Sequence, residues 1–451
     1  MSVATEAHLG QERDVGLERW VAWGVSVVFL AANAYYFHRW AFQYSNAGTS
    51  PTYANTPFVW QAAKYPLMLG ASGVLWVGVL YRRRTGRRES ESFPDTTRRW
   101  WRIPYVTTAR LAPGLAVVAA YSLLVVAVAL RNDAGARELL GWWFFVPVVL
   151  LVPAVAPTML SLRIYRTAGL ILLGYHVAFL ALQLFWYFSD DRLPALAYSG
   201  GGLVRFGGGL DDPNGFGLML VLPILLTLTM WRSFSGWWWA MILLAVSLSS
   251  LFLTLSYSAA AGLVVGLLAL APITRRARIM VWVVVGLAAT AAILSTSGYI
   301  RGVVSDKSRS AWSRFDFGRD SANGAEIIDY FHHLTPIRFL FGTPAEDVAT
   351  ENGYLKLLTF FGAVGLLAVC ILIVIAVRRG LETIRLARER GDVVVVRLFE
   401  GLTAFIVGWS VASLGVPYFG VFPANMLFWL VAMLCAVGPH LGDRRRPADA
   451  R

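Results

Sequence analysis

Charge is what this chain has least of. Charged residues make up 15% of its 451, against about a quarter in a soluble domain, which excludes an ordinary water-soluble globule. Cysteine is scarce too. The two cysteines, Cys370 and Cys435, both lie in apolar runs, so the chain has neither a disulfide framework nor a metal-ligand spacing, and each reads as a small buried hydrophobe. The opening MSVATEAHLGQERDVGLERW lacks the basic n-region of a secretory signal peptide, mixing acids and bases before the first apolar run. That first run is expected to remain as an uncleaved span.

What fills the chain instead is apolar. Hydrophobic residues reach 57% and the mean hydropathy is +0.57. Proline and glycine recur inside the apolar runs, which lipid tolerates because neighbouring helices re-satisfy the backbone. The net charge of +13 would point to nucleic acid in a soluble protein. Here the basic residues cluster in short segments between apolar runs, the pattern of the positive-inside rule, and no nucleic-acid partner is expected.

A span needs about 20 apolar residues. Runs of that kind occupy roughly 19–37, 58–81, 111–130, 141–158, 167–188, 214–231, 237–254, 258–273, 279–296, 353–377, 395–414 and 423–440. The loops alternate in charge. One set carries Arg82-Arg83-Arg84, Arg87-Arg88, Arg163, Arg166, Arg232, Arg275-Arg276, Arg278, Arg378-Arg379, Arg385, Arg388, Arg390 and Arg444-Arg445-Arg446. The short loops of the other set carry few. The expected fold is an all-α integral membrane protein, one polytopic domain over 1–451 with about twelve transmembrane helices. It sits in the inner membrane with both termini in the cytoplasm. The segment 89–110, with Trp100, Trp101 and Tyr105 beside Arg98, Arg99 and Arg102, reads as a cytoplasmic interfacial anchor.

Two outer loops are long, 189–213 and 297–352. The second is expected to hold short amphipathic helices, and it carries Arg301, Lys307, Arg309, Arg314, Arg319 and Arg338. Arginines on the outer side run against the positive-inside bias, and an anionic ligand would account for them. Four constellations stand on this side. In the first, Arg205 precedes a glycine run and Asp211-Asp212-Pro213-Asn214. Pro213 suits a first helical turn and Asp212 or Asn214 a cap. Arg205 is then either solvated or free to meet an anion near a helix N-terminus. The second is the polar turn Thr254-Leu255-Ser256-Tyr257-Ser258, a site element or a hairpin satisfying its own backbone. The third is Gly318-Arg319-Asp320, where Arg319 either pairs with Asp316 or Asp320 or binds a ligand. A stretch with Ile327, Ile328 and Phe331 on one side follows it. The fourth is Thr350-Glu351-Asn352-Gly353, with Gly362 and Gly365 beyond. Glu351 there serves either the dipole of a helix beginning in this segment or a reaction as general base. His332 and His333 read as a polar helix face, without metal-site spacing.

In this order, the four constellations resemble the O-antigen ligase/polymerase superfamily of bacterial membrane glycosyltransferases. Its pattern is an arginine before Gly…Pro-Asn, then a Thr-x-Ser-Arg turn. A Gly-Arg in a long periplasmic loop follows, and then His-Asn opening a span with Gly-x-x-Gly about ten residues on. The matches are Arg205 with Pro213-Asn214, Thr254-Leu255-Ser256, Gly318-Arg319, and Glu351-Asn352 with Gly362 and Gly365. The resemblance covers roughly 165–377. Tyr257 stands where the family often has arginine, and Glu351 where ligases have histidine. The latter shifts the expectation from a lipid A ligase toward a polysaccharide polymerase or another ligase.

The resemblance implies a metal- and cofactor-independent inverting transfer of glycan from a polyprenyl-pyrophosphate carrier to an acceptor glycan or lipid. Arg205 and Arg319 would bind the pyrophosphate and Glu351 would act as base. Asn214, Ser256, Tyr257, Asn352, Arg309 and Arg314 would support them. A protein O-oligosaccharyltransferase would share this chemistry and differ in acceptor. A transporter or flippase of lipid-linked glycan would instead need ionisable groups deep in the bilayer. Lys64, His176 and Glu400 are candidates, of which Lys64 and Glu400 are also placed to snorkel.

The topology predicts that segment 297–352 faces outward. A cysteine introduced by Ser321→Cys should react with a membrane-impermeant maleimide in intact cells; reaction only after lysis would reverse the assignment.

Overall fold

The computed structural model describes residues 213–231, 236–275, 330–342, 352–416, 419 and 424–441. Among them the chain is helical and without strands. The helices are α1 (Pro213–Met230), α2 (Trp237–Thr254), α3 (Tyr257–Thr274), α4 (Pro336–Phe341), α5 (Gly353–Glu389), α6 (Val393–Ala412) and α7 (Ala424–Leu441). Five of them, α1, α2, α3, α5 and α6, are long and apolar enough to cross a membrane. The spans expected at 214–231, 237–254, 258–273, 395–414 and 423–440 coincide with helices to within two residues. Those expected at 19–37, 58–81, 111–130, 141–158, 167–188 and 279–296 lie outside the described residues.

α6 is the hub, packed against α1, α3, α5 and α7. Its buried face includes Phe399, Phe405, Ile406 and Trp409, each at 0% exposure. The α3–α6 crossing is a meeting of backbones. A Cβ on Gly408 would stand 2.3 Å from the Gly262 carbonyl oxygen, and one on Gly262 3.0 Å from the Ala412 Cβ. Gly262 and Gly266 form a G-x-x-x-G step, facing Ala404, Gly408 and Ala412 at the same spacing on α6. Small residues four apart let membrane helices approach this closely. The outward side of α2 is apolar, and Trp237, Trp238 and Trp239, each more than half exposed, open it as an interfacial belt.

The expected span at 353–377 is corrected in shape. Gly362 has φ +66° and ψ −173°, so α5 is two helical pieces joined there. Gly380 packs on Thr403, and α5 and α6 join through the short turn at Arg390–Asp392, so they run antiparallel. A straight α5 would put residue 370 level with Ser413 and Gly353 about 25 Å further out. Instead the Gly353 N–H donates to the Ser413 carbonyl at 2.8 Å. The piece 353–361 therefore folds back at Gly362, and the crossing piece is 363–389. A Cβ on Gly362 would lie 2.2 Å from the Leu340 carbonyl oxygen at the end of α4. This position needs glycine for its positive φ and for the space. The long helix also absorbs Arg378, Arg379, Arg385 and Arg388, which read in sequence as a connecting loop.

Glu400 does not snorkel. It is 2% exposed and lies between the Arg388 guanidinium at 2.8 Å and that of Arg397 at 3.4 Å. Arg388 also donates to the Ile273 carbonyl at the end of α3. One carboxylate thus ties the ends of α3 and α5 to the start of α6.

Removing one partner of a buried ion pair leaves uncompensated charge and costs about 3–5 kcal/mol. Glu400→Ala should lower the thermal midpoint of the detergent-purified protein strongly, while Glu382→Ala, in an exposed pair with Arg379, should move it little. Equal midpoints for the two variants would contradict the buried tie.

Candidate functional site

The described candidate residues gather at one end of the bundle. Pro213 is the first residue of α1, as its fixed φ suits. Asn214 is the second, so it lies inside the helix; of the two caps expected for α1, Asp212 lies outside the described residues. One turn on, a Cβ at Gly217 would meet the Ala259 Cβ at 2.8 Å, the Thr254 hydroxyl at 3.1 Å and the Ser256 Cβ at 3.3 Å. The start of α1 therefore rests directly on the turn between α2 and α3.

That turn holds its own backbone. Leu255 takes a left-handed conformation at φ 48° to end α2, an uncommon state for a residue with a side chain. The Thr254 hydroxyl donates to the Leu251 carbonyl at 2.7 Å and accepts from the Ser256 N–H at 3.2 Å. The Ser256 hydroxyl accepts from the Ala259 N–H at 3.3 Å, capping α3. Thr254 and Ser256 are buried, whereas Tyr257, the first residue of α3, is 43% exposed. Of the two roles left open by sequence, the hydroxyls perform the hairpin one, and Tyr257 is the side chain this turn presents outward.

From the turn the rim continues to α6 and α5. The Ser258 hydroxyl donates to the Gly415 carbonyl at 3.4 Å. Two residues back, the Ser413 carbonyl receives the Gly353 N–H, and the Tyr354 hydroxyl donates to the Ser410 carbonyl at 2.8 Å. The Tyr354 ring meets Phe419 edge-on at 5.2 Å, Phe419 meets Phe428, and Phe428 stacks on Trp409. This aromatic floor holds the fold-back piece of α5 rigidly against α6.

Asn352 caps α5, its side-chain oxygen accepting from the Tyr354 N–H at 2.9 Å and the Leu355 N–H at 3.1 Å. Position 351 therefore precedes the cap. The first turn of α5 holds no acid. Glu351 itself, with Arg205, Arg309, Arg314 and Arg319, lies outside the described residues, as do Lys64, His176, Ile327 and Ile328. Of the stretch that follows Arg319, Phe331 is exposed and Tyr330 is the buried ring. His332 and His333 are exposed.

Sequence reasoning passed over one residue at this end. Lys356 is the only charged side chain in 353–377, and its ammonium sits 5.5 Å from the Phe360 ring centroid. A charge inside an otherwise apolar run was the available signal. The opposite end of the bundle carries Arg275, Arg378, Arg379, Arg388 and Arg397, so the two ends differ sharply in chemistry.

No protein-family model matches the chain, and no curated protein matches it. Function is therefore argued from the residues.

Loss of a doubly bonded cap costs about 1 kcal/mol. Asn352→Ala should lower thermal stability by that order, and Asn352→Asp should restore it, since aspartate caps equally well. An unchanged midpoint in Asn352→Ala would show that the cap contributes nothing.

Proposed function

We propose that this protein is a membrane glycosyltransferase of the O-antigen ligase or polysaccharide polymerase type. It would move glycan from a polyprenyl-pyrophosphate carrier to an acceptor hydroxyl at the outer face of the inner membrane. The observation that carries this reading is the meeting of three motif segments at one rim. The start of α1, one turn after Pro213-Asn214, rests on the Thr254-Leu255-Ser256 turn at Gly217, and Ser258 and Gly353 both donate to carbonyls at the end of α6, those of Gly415 and Ser413, opposite the arginine-rich end that the positive-inside rule assigns to the cytoplasm.

In the proposed step the Glu351 carboxylate takes the proton of the acceptor hydroxyl. The acceptor oxygen attacks the anomeric carbon from the side opposite the carrier. The C1–O bond to the pyrophosphate breaks, and the polyprenyl pyrophosphate departs with the electron pair. Configuration inverts. Arg205 and Arg319, supported by Arg309 and Arg314, neutralise the charge that grows on the leaving group. Lys356 adds a cation one turn beyond the Asn352 cap. A flippase reading would draw on Glu400, and the pairing of Glu400 with Arg388 and Arg397 weighs against a transported proton or ion there.

Purified wild-type protein should form a glycosidic bond from a polyprenyl-pyrophosphate glycan in vitro. Glu351→Gln should lose about 10²–10⁴-fold in turnover, the scale for removing a general base, with little change in thermal midpoint. Arg205→Ala and Arg319→Ala should abolish transfer, and lysine should replace either poorly if the phosphate contact is bidentate. Near-normal turnover of Glu351→Gln refutes the base. Movement of carrier-linked glycan between leaflets without bond formation refutes the enzyme.

A further inference from the structure

We propose that α4 is an interfacial helix, lying in the leaflet on the Asn352 side of the bundle with phospholipid covering its apolar surface. Segment 297–352 reads in sequence as an outer loop holding short amphipathic helices, and α4 belongs to it. Yet Ile337 is 72% exposed, Phe339 43%, Leu340 44% and Phe341 48%, and no residue of this helix is buried. Phe331, just before it, is 44% exposed. Large apolar side chains exposed at this density mark a membrane or partner surface. Six residues cannot cross a bilayer, so α4 lies along the interface.

Continuity with α5 identifies the occupant. α4 ends at Gly342, where a Cβ would stand 2.4 Å from the Phe360 carbonyl oxygen and 2.8 Å from the Gly362 amide nitrogen. The two elements are joined backbone to backbone. From that junction the outward face of α5 continues with Val364 at 39%, Leu367 at 61%, Ile371 at 48% and Val374 at 55% exposure. These positions, three and four apart, form one stripe along a helix apolar enough to cross a membrane. The surface that meets lipid on α5 thus passes without a break onto α4. Arg338, exposed on the same helix, suits the phosphate layer. The proposal does not depend on the glycosyltransferase reading.

The test is a nitroxide attached at Ile337→Cys, and separately at Phe339→Cys, in the full chain carrying Cys370→Ala. Cys435, at 0% exposure, is inert to the label. The protein is reconstituted in phosphatidylethanolamine–phosphatidylglycerol vesicles, with Leu367→Cys as reference. Molecular oxygen should relax the label at 337 and 339 more than a water-soluble nickel chelate does, as at 367. Relaxation dominated by the chelate would place α4 in water and overturn the proposal. Low accessibility to both reagents with spin–spin broadening would show a second copy covering the helix. Low accessibility without broadening would show another protein surface there. Either result also overturns it.

Discussion

Helices that share a bilayer gain little by hiding apolar side chains from one another, because lipid tails are equally apolar. Their association depends on how closely the backbones approach. At the α3–α6 crossing, Gly262, Gly266, Ala404, Gly408 and Ala412 let two helices touch main chain to main chain, and α1, α5 and α7 also pack on α6. α1 fits beside it because Gly401 leaves room for Leu226 and Thr229. The crossing piece of α5 fits because Gly380 admits Thr403, and α7 packs where Gly438 admits Thr383 and Phe399. A methyl group at several of these positions would meet a neighbouring atom closer than 3.0 Å, so the small residues set the interhelical spacing.

The two ends of this bundle are held by different means. At one end a buried carboxylate between two arginines ties three helix termini. That joint is strongly directional, and it is tolerable only because both charges on the other side are present. At the other end the ties are hydrogen bonds of caps and carbonyls: Ser256 on Ala259, Asn352 on Tyr354 and Leu355, Ser413 receiving Gly353. This end carries polar groups whose backbone demands are already met, set on the aromatic floor of Tyr354, Phe419, Phe428 and Trp409. The proposed transfer would call for such rigidity, since groups that meet a substrate must not reorganise when charge develops.

Gly362 links the floor to the outer segment. Because the chain reverses there, Asn352 returns to the level of Ser413 rather than standing away from the bundle. The end of α4 is seated on the reversal itself. One residue with positive φ thereby positions both the cap next to the proposed base and the helix proposed to lie in the interface.

Much of this was legible in the amino-acid sequence, and the reason is local. Apolar length is a property of a contiguous segment, so 237–254 is read with the limits of α2, and the limits of α1, α3, α6 and α7 are met to within two residues. Pro213 opening α1 and the polar turn at Thr254–Ser256 are likewise short-range chemistry. Helix existence and the membrane character of the helices followed from the sequence by itself. Only the tertiary structure decided what depends on a neighbour distant in sequence. Gly362 reads in sequence as a motif glycine inside an apolar run, and only α4 and Ser413 show that the chain reverses there. Glu400 looks able to snorkel until Arg388 and Arg397 arrive from either side of the α5–α6 turn. Asn352 proves to be the cap of α5 and Asn214 an interior residue of α1, because a cap is defined by the helix boundary, and a run of apolar residues marks that boundary only loosely.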